Sequence, residues 1–175
     1  MEMLKDFSIK KYLNKKPPSD NSNTTKQEIL ELTKIPIKEK FVKEMDDGEA
    51  CMERIVGKDP LVGKLISESR PIIDKLKKHF NRPRPKVLAK KMGVKMKDIE
   101  LKTMKTPSYP SGHSVQAYLM ALTLSDKYPK YRNKLMKTAK DISYSRRVAH
   151  AHYKSDSLFG EQIGKDMYNH IKNKI

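Results

Sequence analysis

Cysteine occurs once in the 175 residues, as Cys51. No intrachain disulfide can form, so the chain is not a small scaffold held by an oxidised framework and fits a reducing compartment. Cys51 reads as a small core residue. Long apolar runs are missing too. No segment approaches the roughly 20 apolar residues that span a bilayer, and the N-terminal MEMLKDFSIKKYLNKK contains no long uncharged apolar stretch. The expectation is a cytoplasmic protein with no integral membrane segment. Two-residue alternation is nowhere sustained, which leaves little to build a sheet from. Acidic residues are scarce: 21 Asp and Glu face 38 Lys and Arg, a formal charge of +17, of which only +3 falls in residues 1–45. The basic body attracts anions over a broad surface. A nucleic-acid backbone could be the partner of such a charge. Aromatic residues make up only 7% of the chain and no nucleic-acid-binding motif is present, so that partner is not favoured.

What remains is enough for one domain, since 175 residues with 37% hydrophobic side chains can bury a sizeable core. Residues 14–25 (NKKPPSDNSNTT) lack any apolar side chain and read as a linker, which divides the chain into an N-terminal arm and linker, 1–25, and a main domain, 26–175. Thr25 is placed to cap a helix beginning near Lys26, with Glu28 completing the box. Leu61, Leu65, Ile72, Leu76 and Phe80 recur at near-helical spacing, and Pro71 is expected to open a second helix with Lys77 near its end. A short helix is expected over 87–93, while 94–110 is too polar and irregular to assign. Val115, Leu119 and Leu122 predict a helix directly after His113. Leu135, Ala139, Ile142, Arg146 and Ala149 form the stripe of the next, and Leu158, Ile163 and Met167 that of the last. The fold class is all-α, a single-domain bundle of five or six helices with the active site at helix ends and connecting loops.

Three short islands carry chemistry. In the first, Lys77 precedes the loop with Arg84-Pro85. In the second, Pro110-Ser111-Gly112-His113, the glycine permits a tight turn and the peptide N–H groups of Ser111 to Ser114, at a helix start, can point at an anion. His113 lies close enough there to donate a proton to a leaving oxygen. In the third, Arg146 sits on an apolar stripe and needs a partner or a cavity. Asp156 follows His152 by four residues and can return to hold the far imidazole nitrogen. The six-residue step from Arg146 to His152 requires a bend, and His150, four residues from Arg146, competes with His152 for the site.

Taken in order, the islands match every fixed position of a pattern: Lys, six residues, Arg-Pro; Pro-Ser-Gly-His; Ser-Arg, five residues, His, three residues, Asp. The chain resembles the phosphatidic acid phosphatase type 2 and vanadium haloperoxidase superfamily, especially its bacterial class A acid phosphatases, over about 80 residues. Arg82 with Lys75 offers a second register; Lys77 with Arg84 keeps the second arginine of the Arg-Pro-Arg-Pro run. The third island departs from the family in Arg147, His150 and Lys154, which leaves substrate preference open.

The resemblance implies a metal-independent phosphomonoester hydrolase. His152, oriented by Asp156, would attack phosphorus to give a phosphohistidine, and His113 would protonate the leaving alcohol. Lys77, Arg84 and Arg146, helped by Ser111 and the Gly112 N–H, would bind the phosphoryl oxygens, so neither a metal nor another cofactor is called for. The implied partner is a small anionic phosphorylated molecule. The runner-up substrates are lipid phosphates or pyrophosphates at an interface. A haloperoxidase fits less well, because those chains are longer and Asp156 suits the phosphatase branch.

Overall fold

The structure, a computed structural model, describes residues 2–175, leaving aside the side chain of Thr103. Among these residues it is all-helical. Eight α-helices run in the order α1 (Asn23–Thr33), α2 (Glu39–Asp46), α3 (Gly48–Val56), α4 (Pro60–Phe80), α5 (Pro85–Lys91), α6 (Gly112–Lys127), α7 (Arg132–Val148) and α8 (Lys154–Ile171). The count exceeds the expected five or six because α2 and α3 lie in a charged stretch with few apolar residues to mark them. Each is held by little more than Val42, or Cys51 and Met52, turned inward. Asp47 separates them: it ends α2 and caps α3, its carboxylate accepting from the Ala50 N–H at 3.0 Å.

Two further expectations change. α4 is one helix, opened by Asp59 as cap and Pro60 at its first position, and it runs through Pro71 without breaking. Pro71 is exposed, so the carbonyl it deprives of a partner faces water, while Val62, Leu65, Ile73 and Leu76 stay buried on either side. Burial of such side chains, at about 1.5–3 kcal/mol each, outweighs one lost hydrogen bond. The cap of α1 is Ser22, not Thr25. Ser22 Oγ accepts from Thr25 N–H at 3.1 Å, whereas Thr25 Oγ1 donates to Ser19 O. Glu28 is thereby released from any capping box. α5 also starts two residues earlier than expected, with Pro85 at its first position.

The core forms around α6, which is buried on most sides through Val115, Ala117, Leu119, Met120, Ala121 and Leu124. α4, α7 and α8 pack against it. Two glycines set the closest of these approaches. A Cβ on Gly160 would stand 2.6 Å from Ser111 O, and one on Gly164 would stand 2.5 Å from Val115 O, so α8 lies against the backbone of α6's first turns. The N-terminal arm lies over the same body: Met3, Leu4 and Tyr12 enter the main core, and the Tyr12 hydroxyl donates to Asp166. Phe80, Tyr109 and Phe159 cluster beside Tyr12, the Tyr109 and Phe159 rings stacked 4.4 Å apart and the other contacts edge-on. No helix among the described residues is long and apolar enough to cross a membrane.

Candidate active site

A cavity of about 600 Å³ opens where the C-terminal end of α4, the start of α5, the start of α6 and the α7–α8 turn converge. Lys77, Arg84, Gly112, His113 and His152 all line it. Arg146, Ser111 and Asp156 stand behind the wall, and Lys75 of the alternative register is exposed on the outer face of α4.

The α7–α8 turn supplies the bend that the Arg146–His152 spacing requires. α7 ends at Val148, and His150 takes a left-handed conformation, φ 57°. Its neighbour Ala151 donates back to Arg146 O at 2.9 Å, closing the helix end. The two histidines of the turn then diverge. His150 points away from the cavity, with Nδ1 2.6 Å from Lys97 O and Nε2 2.8 Å from Ile35 O. His152 points into it.

His152 is held on both ring nitrogens. Nδ1 lies 3.0 Å from Asp156 Oδ2, and Nε2 lies 2.9 Å from Arg84 Nη1. A guanidinium can only donate, so Nε2 carries a lone pair and Nδ1 carries the proton, which Asp156 accepts. Burial, reinforced by Arg84, Lys77 and Arg146, holds the imidazole well below its ordinary range, so it is neutral at pH 7. Asp156, at the third position of α8, accepts from Tyr153 N–H at 3.0 Å, from the Ser108 hydroxyl and from Arg82 Nη1 at 2.8 Å. Its burial pushes the carboxyl up to about 6 against the pull of these donors.

Arg84 caps nothing with its side chain and spends its donors around the cavity: Nε on Thr106 O (2.8 Å), Nη1 on Ala151 O (3.0 Å) and Nη2 on Thr106 Oγ1 (3.1 Å). Lys77 Nζ donates to the same Thr106 hydroxyl at 3.1 Å and to Pro107 O at 3.0 Å. Burial and the neighbouring Arg84 lower the Lys77 ammonium to about 7, and burial brings Arg84 down to about 10. Arg146 meets its partner requirement through Asp46: Nη1 lies 2.9 Å from Asp46 Oδ1, Nε donates to Ser145 Oγ at 3.1 Å, and Nη2 to Val42 O at 3.4 Å.

The start of α6 faces this array. Ser111 is the cap, its Oγ accepting from Ser114 N–H at 3.3 Å and from the Ser114 hydroxyl at 2.9 Å, so its side chain serves the helix. Gly112 forms the cavity floor, where a Cβ would stand 3.4 Å from Ile73 Cγ2 and 3.8 Å from Lys77 Cε. The first N–H groups of a helix have no intrahelical acceptor and favour an anion. His113 Nε2 lies 2.8 Å from Asp46 O, which as a carbonyl must accept, leaving Nδ1 as the ring nitrogen that takes or gives a proton. Burial and Arg146 push His113 down to about 4.

Four residues outside the expected site set complete the arrangement, among them Arg82, weighed there only as an alternative to Arg84. Asp46 touches both His113 and Arg146; Thr106 bridges Lys77 and Arg84; Ser108 and Arg82 hold Asp156. Arg82 and Ser108 flank the recognised islands and had a signal in their position, whereas Asp46 lies 100 residues before Arg146 with no local mark. Among the described residues no group of three or more His, Cys, Asp or Glu side chains is arranged to hold a metal ion.

A family model described as "PAP2 superfamily" matches residues 63–165, which include all of these site residues except Asp46. The chain belongs to the PAP2 superfamily. Among curated proteins it is 35% identical over 88 residues to a non-specific acid phosphatase of Salmonella typhimurium and, to the same extent, to one of Salmonella typhi. The matched stretch is 50% of this chain and 35% of each relative, so it spans about a third of their length.

Proposed function

We propose that the protein is a phosphomonoester hydrolase that works through a phosphohistidine on His152. The observation that carries this reading is the Arg84–His152–Asp156 array: it presents a neutral imidazole with its Nε2 lone pair on a cavity whose other walls are cationic side chains and a helix N-terminus. A phosphoryl group seated against the Gly112 and His113 N–H groups takes its remaining contacts from Lys77 and Arg84, with Arg146 one layer out. Ser111 contributes by shaping the helix start.

In the first step Arg84 Nη1 gives up its hydrogen bond to Nε2 for the phosphoryl oxygens, the freed lone pair forms an N–P bond as the P–O bond to the alcohol breaks, and His113 gives its Nδ1 proton to the departing oxygen. The imidazolium that results is stabilised by Asp156. In the second step water attacks phosphorus, His113 takes a proton from it, the N–P bond breaks and phosphate leaves. His113 is neutral above about pH 4, so its proton arrives with the substrate: a phosphate monoanion delivers one, and the bound negative charge raises the imidazole's affinity for it. Side-chain cations supply the charge stabilisation that phosphoryl transfer needs, which supports a metal-independent reaction.

The substrates supported are small phosphorylated molecules, in keeping with the name non-specific acid phosphatase carried by the relatives. The test is phosphate release from a panel of phosphomonoesters in excess chelator, with acid-labile, base-stable label trapped on the enzyme. Activity that disappears on chelation and returns only with a divalent ion would overturn the metal-independent mechanism.

A further inference from the structure

We propose that Arg82 and Glu28 are positioning residues for His152, forming a relay of charge from the N-terminal helix α1 through Arg82 and Asp156 to the nucleophile. This rests on the reading of His152 as the attacking group. Arg82 is 1% exposed, and a guanidinium so buried is costly unless paired; both of its Nη groups are paired, and Nε is not. It has two carboxylates. Nη1 donates to Asp156 Oδ1 and to Ser155 Oγ, both at 2.8 Å, and Nη2 lies 3.3 Å from Glu28 Oε2. The guanidinium carbon sits 3.7 Å from the centre of the Tyr153 ring, which fixes its plane. Asp156 thus has one oxygen on His152 and the other on Arg82, so the arginine sets the carboxylate's orientation and, through it, the imidazole's.

Glu28 does more than neutralise. Its Oε1 accepts the Ser155 N–H at 2.7 Å, one of the orphan donors of α8's first turn, and its Oε2 accepts the Ser155 hydroxyl at 2.8 Å. Glu28 therefore grips the helix start that carries Asp156 while sharing Arg82 with it. The sharing has an electrostatic consequence. Arg82 alone would draw charge from Asp156 and make it a poorer acceptor for the His152 proton, and Glu28 offsets that pull. The other titratable groups acting on Asp156 are Lys77, Arg84, Tyr109 and Tyr153, together with His152 itself. None of them bonds to Glu28.

The roles of Arg82 and Glu28 have opposite signs, and a pH profile reads them. The acid limb of kcat/KM on an aryl phosphate reports protonation of Asp156. Glu28→Gln leaves the Arg82 charge uncompensated and moves this limb to lower pH by a few tenths of a unit. Arg82→Met removes the favourable charge and moves it to higher pH by about one unit or more. In both, kcat falls about 10–100-fold, the usual cost of losing a group that orients a reacting residue, with KM little changed because neither side chain lines the cavity. Arg82→Lys keeps the charge and loses the fork. It returns the limb to within a few tenths of the wild type while kcat stays low, and it carries the Arg82 arm if Arg82→Met does not fold. Thermal unfolding of each variant is followed alongside. An active wild type whose Glu28→Gln limb stays in place or moves to higher pH, or whose Arg82→Met limb stays in place or moves to lower pH, overturns the relay alone; where Arg82→Met does not fold, an Arg82→Lys enzyme with wild-type kcat does so. A wild type that releases no phosphate from any monoester overturns the reading of the site as well.

Discussion

Arg84 Nη1 stands 2.9 Å from His152 Nε2, so the atom that faces the cavity is an acceptor and the proton of the ring lies on the side of Asp156. Asp156→Asn puts an amide where the carboxylate was. It accepts from Arg82 with its oxygen and offers N–H to Nδ1, forcing the proton to Nε2 and against Arg84. We expect kcat to fall on the order of 10³–10⁴-fold, as when a catalytic histidine is left in the wrong tautomer, with loss of the phosphoenzyme burst. A variant that retains the burst would place the tautomer under other control.

Lys77 predicts an alkaline limb. Its ammonium is brought down to about 7, so it loses charge as pH rises through that value, and kcat/KM should decline above about pH 7. Bound phosphoryl oxygens favour the charged form, so the same limb should be weaker in kcat. Lys77→Arg keeps its charge throughout, and its kcat/KM should hold level to higher pH even if its absolute value is lower. An unchanged limb would assign it to the second ionisation of the substrate.

His113 is tested by the leaving group. An alkyl alcohol needs a proton as its bond to phosphorus breaks, while a nitrophenolate needs little help. His113→Ala should lose roughly 10²-fold or more on alkyl phosphates and far less on nitrophenyl phosphate. Equal losses on both would make His113 a binding residue.

His150 separates structure from chemistry. Both of its nitrogens meet carbonyl oxygens, and its backbone is left-handed. His150→Ala forfeits the ring's contacts with the Lys97 and Ile35 carbonyls, for a loss of about 1–3 kcal/mol in stability. His150→Gly should lose less, because glycine accepts the backbone geometry. Both should retain substantial activity, and trapped label should map to His152. Label on His150 would exchange the roles of the two residues.

The helical class, the turn between Arg146 and His152 and the convergence of Lys77, Arg84, Gly112, His113 and His152 were legible because each depends on local spacing or on a motif. The single α4 was not: a proline's effect depends on which way its face points, and the exposure of Pro71 is a property of the assembled bundle. The same limit hid α2 and α3, which fold because α6 and α7 offer them a surface. Glu28 read as a capping residue because its real partner, Ser155, lies 127 residues away. Ser111 was expected on the phosphate; its oxygen also accepts from Ser114 as the cap of the helix it begins, a second role that the motif did not mark.

Gly160 and Gly164 have a consequence for the reaction itself. They let α8 rest on the main chain of α6, and Ser111 N–H donates to Asp156 O at 3.1 Å across the same seam. The helix start that carries His113 and the one that carries Asp156 are therefore two jaws of a single gauge, set by backbone against backbone. No rotamer adjusts the opening between them. In the proposed reaction, the distance that a phosphoryl group would cross between the two jaws is thus fixed by main chain and by the two glycines.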